Sequence, residues 1–367
     1  MGELAVLFLK IGLTAFGGPA AHIAIMEDEV VRRRQWLTRE EFLDLLGATN
    51  LIPGPNSTEM AIHIGYRRAG IPGLLVAGIS FIIPAALIVS GIAWVYVRYG
   101  ALPQFKAILS GVQPVVVAIV FQALLRLGRI ALKSWWLGLI GLAGIILISA
   151  GVSELLVLAL SGLAAIVLAG GNLIRKSKLR VLVMPISLAG VASASASFSL
   201  GALFLFFLKV GSVLFGSGYV LFAYLKADLV DRWGWISQTQ LMDAIAVGQV
   251  TPGPLFTSAA FIGYILAGPK GAALATGGIF LPAFILVALS NPLIPRLRRS
   301  PITAAFLDGL NVGSLAFMTV VSVQLAHGTF NTDFSIGLAL ASAALLSFGV
   351  NSALLAVLGA LAGFILG

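Results

Sequence analysis

Long apolar runs alternate with short polar interruptions along the whole chain. The runs are about twenty residues long, the length at which a helix crosses a hydrocarbon core of about 30 Å. The pattern predicts an all-α polytopic membrane protein. Candidate spans in the first half are 4–26, 71–97, 104–126, 134–150 and 153–172. Those in the second half are 201–224, 272–291, 302–326, 335–349 and 351–367. Segment 42–66 carries a break, "LIPGPNSTEM" at 51–60. Two arms of about ten residues are each ~15 Å long, half a membrane, so a re-entrant segment is expected there. If it and its counterpart cross instead, ten spans become twelve.

The break has an echo. Pro53-Gly54-Pro55 recurs as Pro252-Gly253-Pro254 (252 − 53 = 199). At that offset Lys10 falls on Lys209, Gly12 on Gly211, Phe16 on Phe215, Arg33 on Arg232, Trp36 on Trp235 and Asp44 on Asp243. One residue later in register, Gly65-Tyr66 matches Gly263-Tyr264, Ala69-Gly70 matches Ala267-Gly268, and Pro84 matches Pro282. The chain is two homologous halves, 1–180 and 198–367, joined by a linker over 181–197.

Charge gives the halves opposite orientations. Loop 27–41 carries Arg32, Arg33, Arg34 and Arg39; its counterpart carries Lys226 and Arg232 against Asp228 and Asp231. Arg126, Arg129 and Lys133 have no basic counterparts near 325–333. The bias then reverses, with Arg296, Arg298 and Arg299 facing Arg98 and Lys106. By the positive-inside rule the repeats are inverted, an architecture common among secondary transporters, which bind substrate between the repeats.

Overall, 59% of residues are apolar and 10% are charged, with a formal charge of +9 and no cysteine. In a chain of this class the basic excess belongs to loops, so nucleic acid is not an expected partner; the bilayer is. Disulfides and cysteine-ligated metals are excluded. His22, His63 and His327 are scattered, no metal-ligand spacing joins them, and neither a metal nor another cofactor is expected. No compact nucleophile–base set suggests an enzyme.

Irregular backbone at membrane depth is tolerated where it lines a cavity or is buried in protein. Pro55 suits the first position of a new helix, whose N–H groups and positive dipole end favour an anion. The candidate binding residues are Lys10, Phe16, Gly17, Gly18, Pro19, Asn50, Pro53, Gly54, Pro55, Asn56, Ser57 and Thr58. From the second half come Lys209, Gly216, Ser217, Gly218, Thr251, Pro252, Gly253, Pro254, Thr257 and Ser258. The competing readings are proline kinks and close glycine packing, and for Lys10 and Lys209 snorkelling to an interface. Glu59 lacks an acidic counterpart and is the candidate proton-coupling group, with His22 as a second; a partner role for Lys10 or Arg67 is the alternative. Asp44 and Asp243 are expected to pair with the Arg-rich loops. Gln113 and Asn311 align as amides that line a path or bond between helices. Loop 27–41 is expected to form a solvated amphipathic helix.

Several stretches resemble the chromate ion transporter family in its long-chain, two-domain form. They are "FGGPAAHIAIMEDEVV" (16–31), "RQWLTREEFLDLLGATNLIPGPNSTEMAIHIGYRRAG" (34–70), "FIIPAALI" (81–88), "LFGSGYV" (214–220), "GQVTPGP" (248–254) and "GGIFLPAFILV" (277–287). The resemblance spans both repeats. It implies a multi-pass protein of the bacterial inner membrane that exports chromate, with sulfate as a close analogue, in metal resistance. It also implies an antiporter driven by protons and membrane potential. Inward transport of sulfate or another anion and a passive anion channel are the alternatives. A homodimer is compatible with the sequence. Gly216-Ser217-Gly218 stands where the first half has Gly17-Gly18-Pro19, and Leu255-Phe256 where it has Asn56-Ser57, so an asymmetric site is expected.

Overall fold

The computed structural model describes residues 1–16, 18–100, 102–169, 197–215, 218–290 and 300–366. The expected linker therefore lies, apart from residue 197, outside the described residues. The first half contains α1 (Gly2–Thr14), α2 (Gly18–Glu27), α3 (Arg39–Thr49), α4 (Asn56–Tyr99), α5 (Pro103–Ala131), α6 (Trp135–Ser149) and α7 (Glu154–Leu168). The second contains α8 (Leu200–Val213), α9 (Val220–Tyr224), α10 (Gln238–Val250), α11 (Ser258–Ser290), α12 (Pro301–Thr329), α13 (Asp333–Ser347) and α14 (Ser352–Leu366).

Span 4–26 is not one helix. Lys10 Nζ lies 3.4 Å from Glu29 Oε1. A continuous helix would hold residues nineteen apart at a distance of about 28 Å. The chain leaves helical geometry at Ala15, and the π-helical segment Asp28–Arg33 that extends α2 returns to α1 through the Lys10–Glu29 pair. Lys209 and Asp228 make the same fold-back at 2.8 Å, correcting span 201–224. The amphipathic surface helix expected over 27–41 is instead this π-helical turn, with Val30 fully buried.

The re-entrant segment forms as expected. Thr38 and Glu41 build a capping box at the start of α3, two orphan helix donors satisfied reciprocally. After the break, α4 runs back, and Arg67 Nη2 meets Glu41 Oε1 at 2.8 Å, so the outer ends of the two arms touch. The arms, 39–49 and 56–68, are about 17 and 20 Å long at 1.5 Å per residue. A second hairpin follows within α4. Ala69 leaves helical geometry, and Gly70 takes φ 60°, ψ −147°, a conformation open to glycine. Gly65 and Gly73 then lie backbone against backbone. Ala267 and Gly268 repeat this turn, with Gly268 at φ 59°, ψ −151° and Gly263 against Gly271. That is the physical content of the Gly65/Gly263 and Ala69-Gly70/Ala267-Gly268 matches in the sequence.

The halves interlock. α5 packs on α13 and α14, and α12 packs on α6 and α7, while α4 packs on α11. Gly111 lies against Gly359 and Gly363, and Gly309 against Ser161 and Gly162. Such small residues are what lets membrane helices approach closely. Equivalent helices run antiparallel: along α5 and α12, Gly128 faces Leu315 and Lys133 bonds Asp308. The repeats are inverted.

Among the described residues, four helical stretches are long and apolar enough to cross a membrane, within Asn56–Tyr99, Ala107–Ala131, Leu255–Ser290 and Pro301–Thr329. The segments expected at 134–150, 153–172, 335–349 and 351–367 are apolar helices of 15 residues, each about 22 Å long and shorter than the hydrocarbon core. Their outward residues, such as Trp135, Ile146, Leu340 and Phe348, are exposed and apolar, as a lipid-facing surface requires.

Candidate functional site

The first-half break is built by local hydrogen bonds. α3 ends where Thr49 Oγ1 and Asn50 Nδ2 donate to the Leu46 carbonyl. Gly54 takes φ 140°, and Pro55 caps α4 while its carbonyl accepts the amides of Thr58 and Glu59. Asn56 Nδ2 donates to Asn50 Oδ1 at 3.0 Å, tying the loop shut. The turn then dives into protein: Ser57 is 2% exposed, and Thr58, Glu59 and His63 are fully buried.

Both proton-coupling candidates lie at this break. His22 Nε2 lies 3.0 Å from the Ala15 carbonyl and Nδ1 lies 3.3 Å from Ser57 Oγ, so His22 bridges both breaks of the first half. Glu59 sits one turn before His63 on the same helix face, with its carboxyl against Gly54. Neither oxygen of Glu59, neither nitrogen of His63, nor Thr58 Oγ1 has a hydrogen-bond partner among the described residues. An unpartnered buried carboxyl is costly, and its place beside a break is an observation to explain.

The second break has the same frame and different contents. Ser237 and Gln240 form the capping box of α10. Gly253 takes φ 89°. Where the first half has Asn56 and Ser57, Leu255 and Phe256 fill the space and are buried. Thr251, Thr257 and Ser258 donate to the carbonyls of Val247, Pro254 and Leu255 in their own turns. Gly218 packs near Leu255 and Phe256. The first half's Gly18, at φ 77°, opens α2 with Pro19, and Tyr219 Oη from the second half lies 3.8 Å from where a Cβ on Gly18 would be. Phe16 is 43% exposed. Gly17, Gly216 and Ser217 lie outside the described residues.

One sequence expectation is corrected, and the two candidate anion attractors, Lys10 and Lys209, are each found in an ion pair. Lys10 pairs with Glu29, which also takes Arg34 at 3.2 Å, and Lys209 pairs with Asp228, which also takes Arg232. Both lysines hold the fold-back of their half. Asp243 does not pair with an Arg-rich loop; it accepts from Tyr96 Oη at 2.9 Å and Gln113 Nε2 at 3.0 Å, which joins the halves. Asp44, its repeat counterpart, is exposed.

A cavity of about 250 Å³ opens beside the first break. Asn50 and Asn56 line it from the break, and Phe215 lines it from the opposite half. Lys133 at the end of α5 and Asp308, Asn311 and Ser314 on α12 complete its polar wall. Lys133 Nζ bonds Asp308 Oδ1 at 2.6 Å. Ser314 is 2% exposed, and its hydroxyl has no partner among the described residues. Sequence reasoning missed Lys133, Asp308 and Ser314 as site residues, because they reach the break only through the antiparallel crossing of α5 and α12. One signal was available: at the repeat offset of 198, Lys133 and Asp308 fall on Asn331 and Ser110, a departure from internal symmetry like that of Glu59.

The family model described as Chromate transporter matches residues 2–167 and again 201–364. The chain is similar to the probable chromate transport protein of Synechococcus elongatus, 31% identical over 99% of this chain and 95% of that protein. It is similar to the chromate transport protein of Cupriavidus metallidurans, 30% identical over 94% of this chain and 87% of that protein. An uncharacterized transporter of Bacillus subtilis is 32% identical over 40% of this chain and 83% of its own length, so one relative is about a single repeat long. No solved structure matches the chain.

Proposed function

The chain belongs to the chromate transporter family, and from that premise we propose that it is a secondary transporter that exports chromate from the cytoplasm across the bacterial inner membrane in exchange for protons. The observation that carries this reading is the first-half break. There a helix start bearing Asn56 and Ser57 opens beside a cavity with one polar wall, and the buried Glu59 carboxyl lies within the same turn. The helix start and cavity amides suit a tetrahedral oxyanion. Glu59 and His22 are suited to take and release the proton, since an ionisable group buried at membrane depth without a counter-charge is characteristic of proton pathways. Each charge crossing 100 mV is worth about 2.3 kcal/mol, so a dianion leaving an inside-negative cell gains roughly 4–5 kcal/mol; an inward proton drives the cycle the same way.

The test is radiolabelled chromate flux in proteoliposomes, with membrane potential and pH gradient imposed separately, for wild type and Glu59→Gln. Exchange predicts a pH-gradient response that the substitution abolishes while potential-driven flux survives. A wild-type flux indifferent to the pH gradient would make the protein a potential-driven uniporter or channel. Flux of sulfate without chromate would keep the architecture and change the substrate.

A further inference from the structure

The Lys133–Asp308 pair is hard to explain as a piece of scaffold. Its side chains are 58% and 26% exposed, and an ion pair so placed contributes little to stability. The repeat symmetry supplies an internal control. At the equivalent place in the other half stand Ser110 and Asn331, each bonded to a carbonyl of its own helix, Ala107 and Gly328. Among the described residues, the α5–α12 crossing is thus built at that end without an ion pair between the equivalent positions.

What distinguishes the charged end is the cavity. Asn50, Asn56, Asn311 and Ser314 line the same cavity as Lys133, and the buried Ser314 hydroxyl has no partner among the described residues. Its volume of about 250 Å³ is that of roughly eight waters at ~30 Å³ each, room for a tetrahedral oxyanion with part of its water shell. Lysine is a compact point charge with three donors, and charge-assisted bonds to an oxyanion are the strong class. The Asp308 carboxylate takes one of those donors, at 2.6 Å.

Resting on the transport reading above, we infer that this cavity is the oxyanion site, with Lys133 as its cationic ligand and Asp308 as an internal anion that the substrate displaces from Lys133. Asp308 thereby lowers affinity by competing for Lys133 and by repelling a dianion. A transporter needs such a site, favourable enough to load and weak enough to release. The pair joins α5 of one repeat to α12 of the other, so loading breaks a bond between the repeats.

The two residues are therefore expected to act with opposite signs, which a structural bridge would not produce. The experiment is equilibrium binding of radiolabelled chromate to the full-length protein in nanodiscs at one fixed pH, with unlabelled sulfate as competitor. Lys133→Gln is expected to weaken binding about tenfold or more, the loss of a charge-assisted bond. Lys133→Arg should stay within about threefold of wild type, because the charge is kept. Asp308→Asn should bind about threefold or more tighter, because a repelling charge is gone. If Lys133→Gln does not fold, the sign of the Asp308→Asn effect decides alone. Weakening by Asp308→Asn, or no effect of it, overturns this site while leaving the transport reading intact. A wild-type protein that binds neither chromate nor sulfate overturns both.

Discussion

The Gly54 amide donates to the Leu214 carbonyl at 2.9 Å, joining the break of the first repeat to the turn that opens the second. The reciprocal bond runs from the Gly253 amide to the Ala15 carbonyl at 3.0 Å. The two pairs are equivalent at the repeat offset of 199, so each half closes the other's broken backbone. Backbone groups away from water must find partners, and here the irregular segments find them in each other.

These glycines should therefore resist substitution. Gly54 and Gly253 have φ of 140° and 89°, and a Cβ would meet Glu59 Oε1 in the first case and lie 2.6 Å from Ala85 Cβ in the second. Gly54→Ala and Gly253→Ala are each expected to cost about 1–3 kcal/mol or more through backbone strain alone. Gly138→Ala is the control: Gly138 lies within α6, and nothing lies within 4 Å of its Cβ position. Helix propensity should leave that variant as stable as wild type or better. Thermal unfolding in detergent reads all three.

How much of this was legible beforehand differs by level. The breaks, the repeat and the inversion all stand in the sequence, because Pro53-Gly54-Pro55, Ala69-Gly70 and the arginine loops are local signals. The fold-back onto α1 was not legible, since a 23-residue apolar run reads as a span whether or not it turns at its glycines. The partners of Lys10 and Asp243 were hidden for another reason. Glu29 is 19 residues from Lys10, and Tyr96 and Gln113 lie 147 and 130 residues from Asp243; only tertiary packing joins them. Asymmetry within the repeat was visible, and it pointed to Glu59 and Asn56 but passed over Lys133.

The fold-back ion pairs differ in depth and should differ in weight. Asp228 is fully buried and holds both Lys209 and Arg232, whereas Lys10, opposite Glu29, is 60% exposed. Asp228→Asn removes the nearer of the two buried carboxylates that face Lys209 and Arg232, leaving Glu154 at 3.8 Å from each, and is expected to cost about 3 kcal/mol, the low end for a broken buried pair. Glu29→Gln should cost clearly less, because exposed Lys10 and Arg33 can turn to water. The yield of monodisperse protein and the unfolding midpoint, measured side by side, check the order.

The Glu41–Arg67 pair gives a pH signature at the outer end of the re-entrant arms. The Arg67 guanidinium beside Glu41 holds its carboxyl below the usual range. A carboxyl depressed in the folded state adds stability above its unfolded pKa, and that stability is lost as pH falls through the folded value. The pair is exposed, so the loss is small, at most ~1 kcal/mol. Unfolding midpoints of wild type and Glu41→Gln should differ near neutral pH and converge as the pH falls below the carboxylate range. A constant gap across that window would show that the carboxylate is not what binds the arms.

The chemical contrast between the breaks predicts which half bears the site. Asn56 faces the cavity, whereas its counterpart Leu255 and the adjacent Phe256 are packed inside the protein. Asn56→Leu removes a polar group from the cavity wall without touching a packed core. It should lower chromate flux about tenfold, as losing one or two hydrogen bonds of ~1 kcal/mol each would do, and lower the unfolding midpoint only slightly, through loss of the exposed bond to Asn50. Phe256→Ala empties a closed space and should cost about 3–5 kcal/mol of stability. Its flux per folded molecule should stay near wild type if the substrate binds at the first break alone. Proteoliposome flux normalised to folded protein, with thermal unfolding of the same samples, separates the two effects. Equal losses of flux from both substitutions would restore a symmetric site and remove the reason for placing the chemistry in the first repeat.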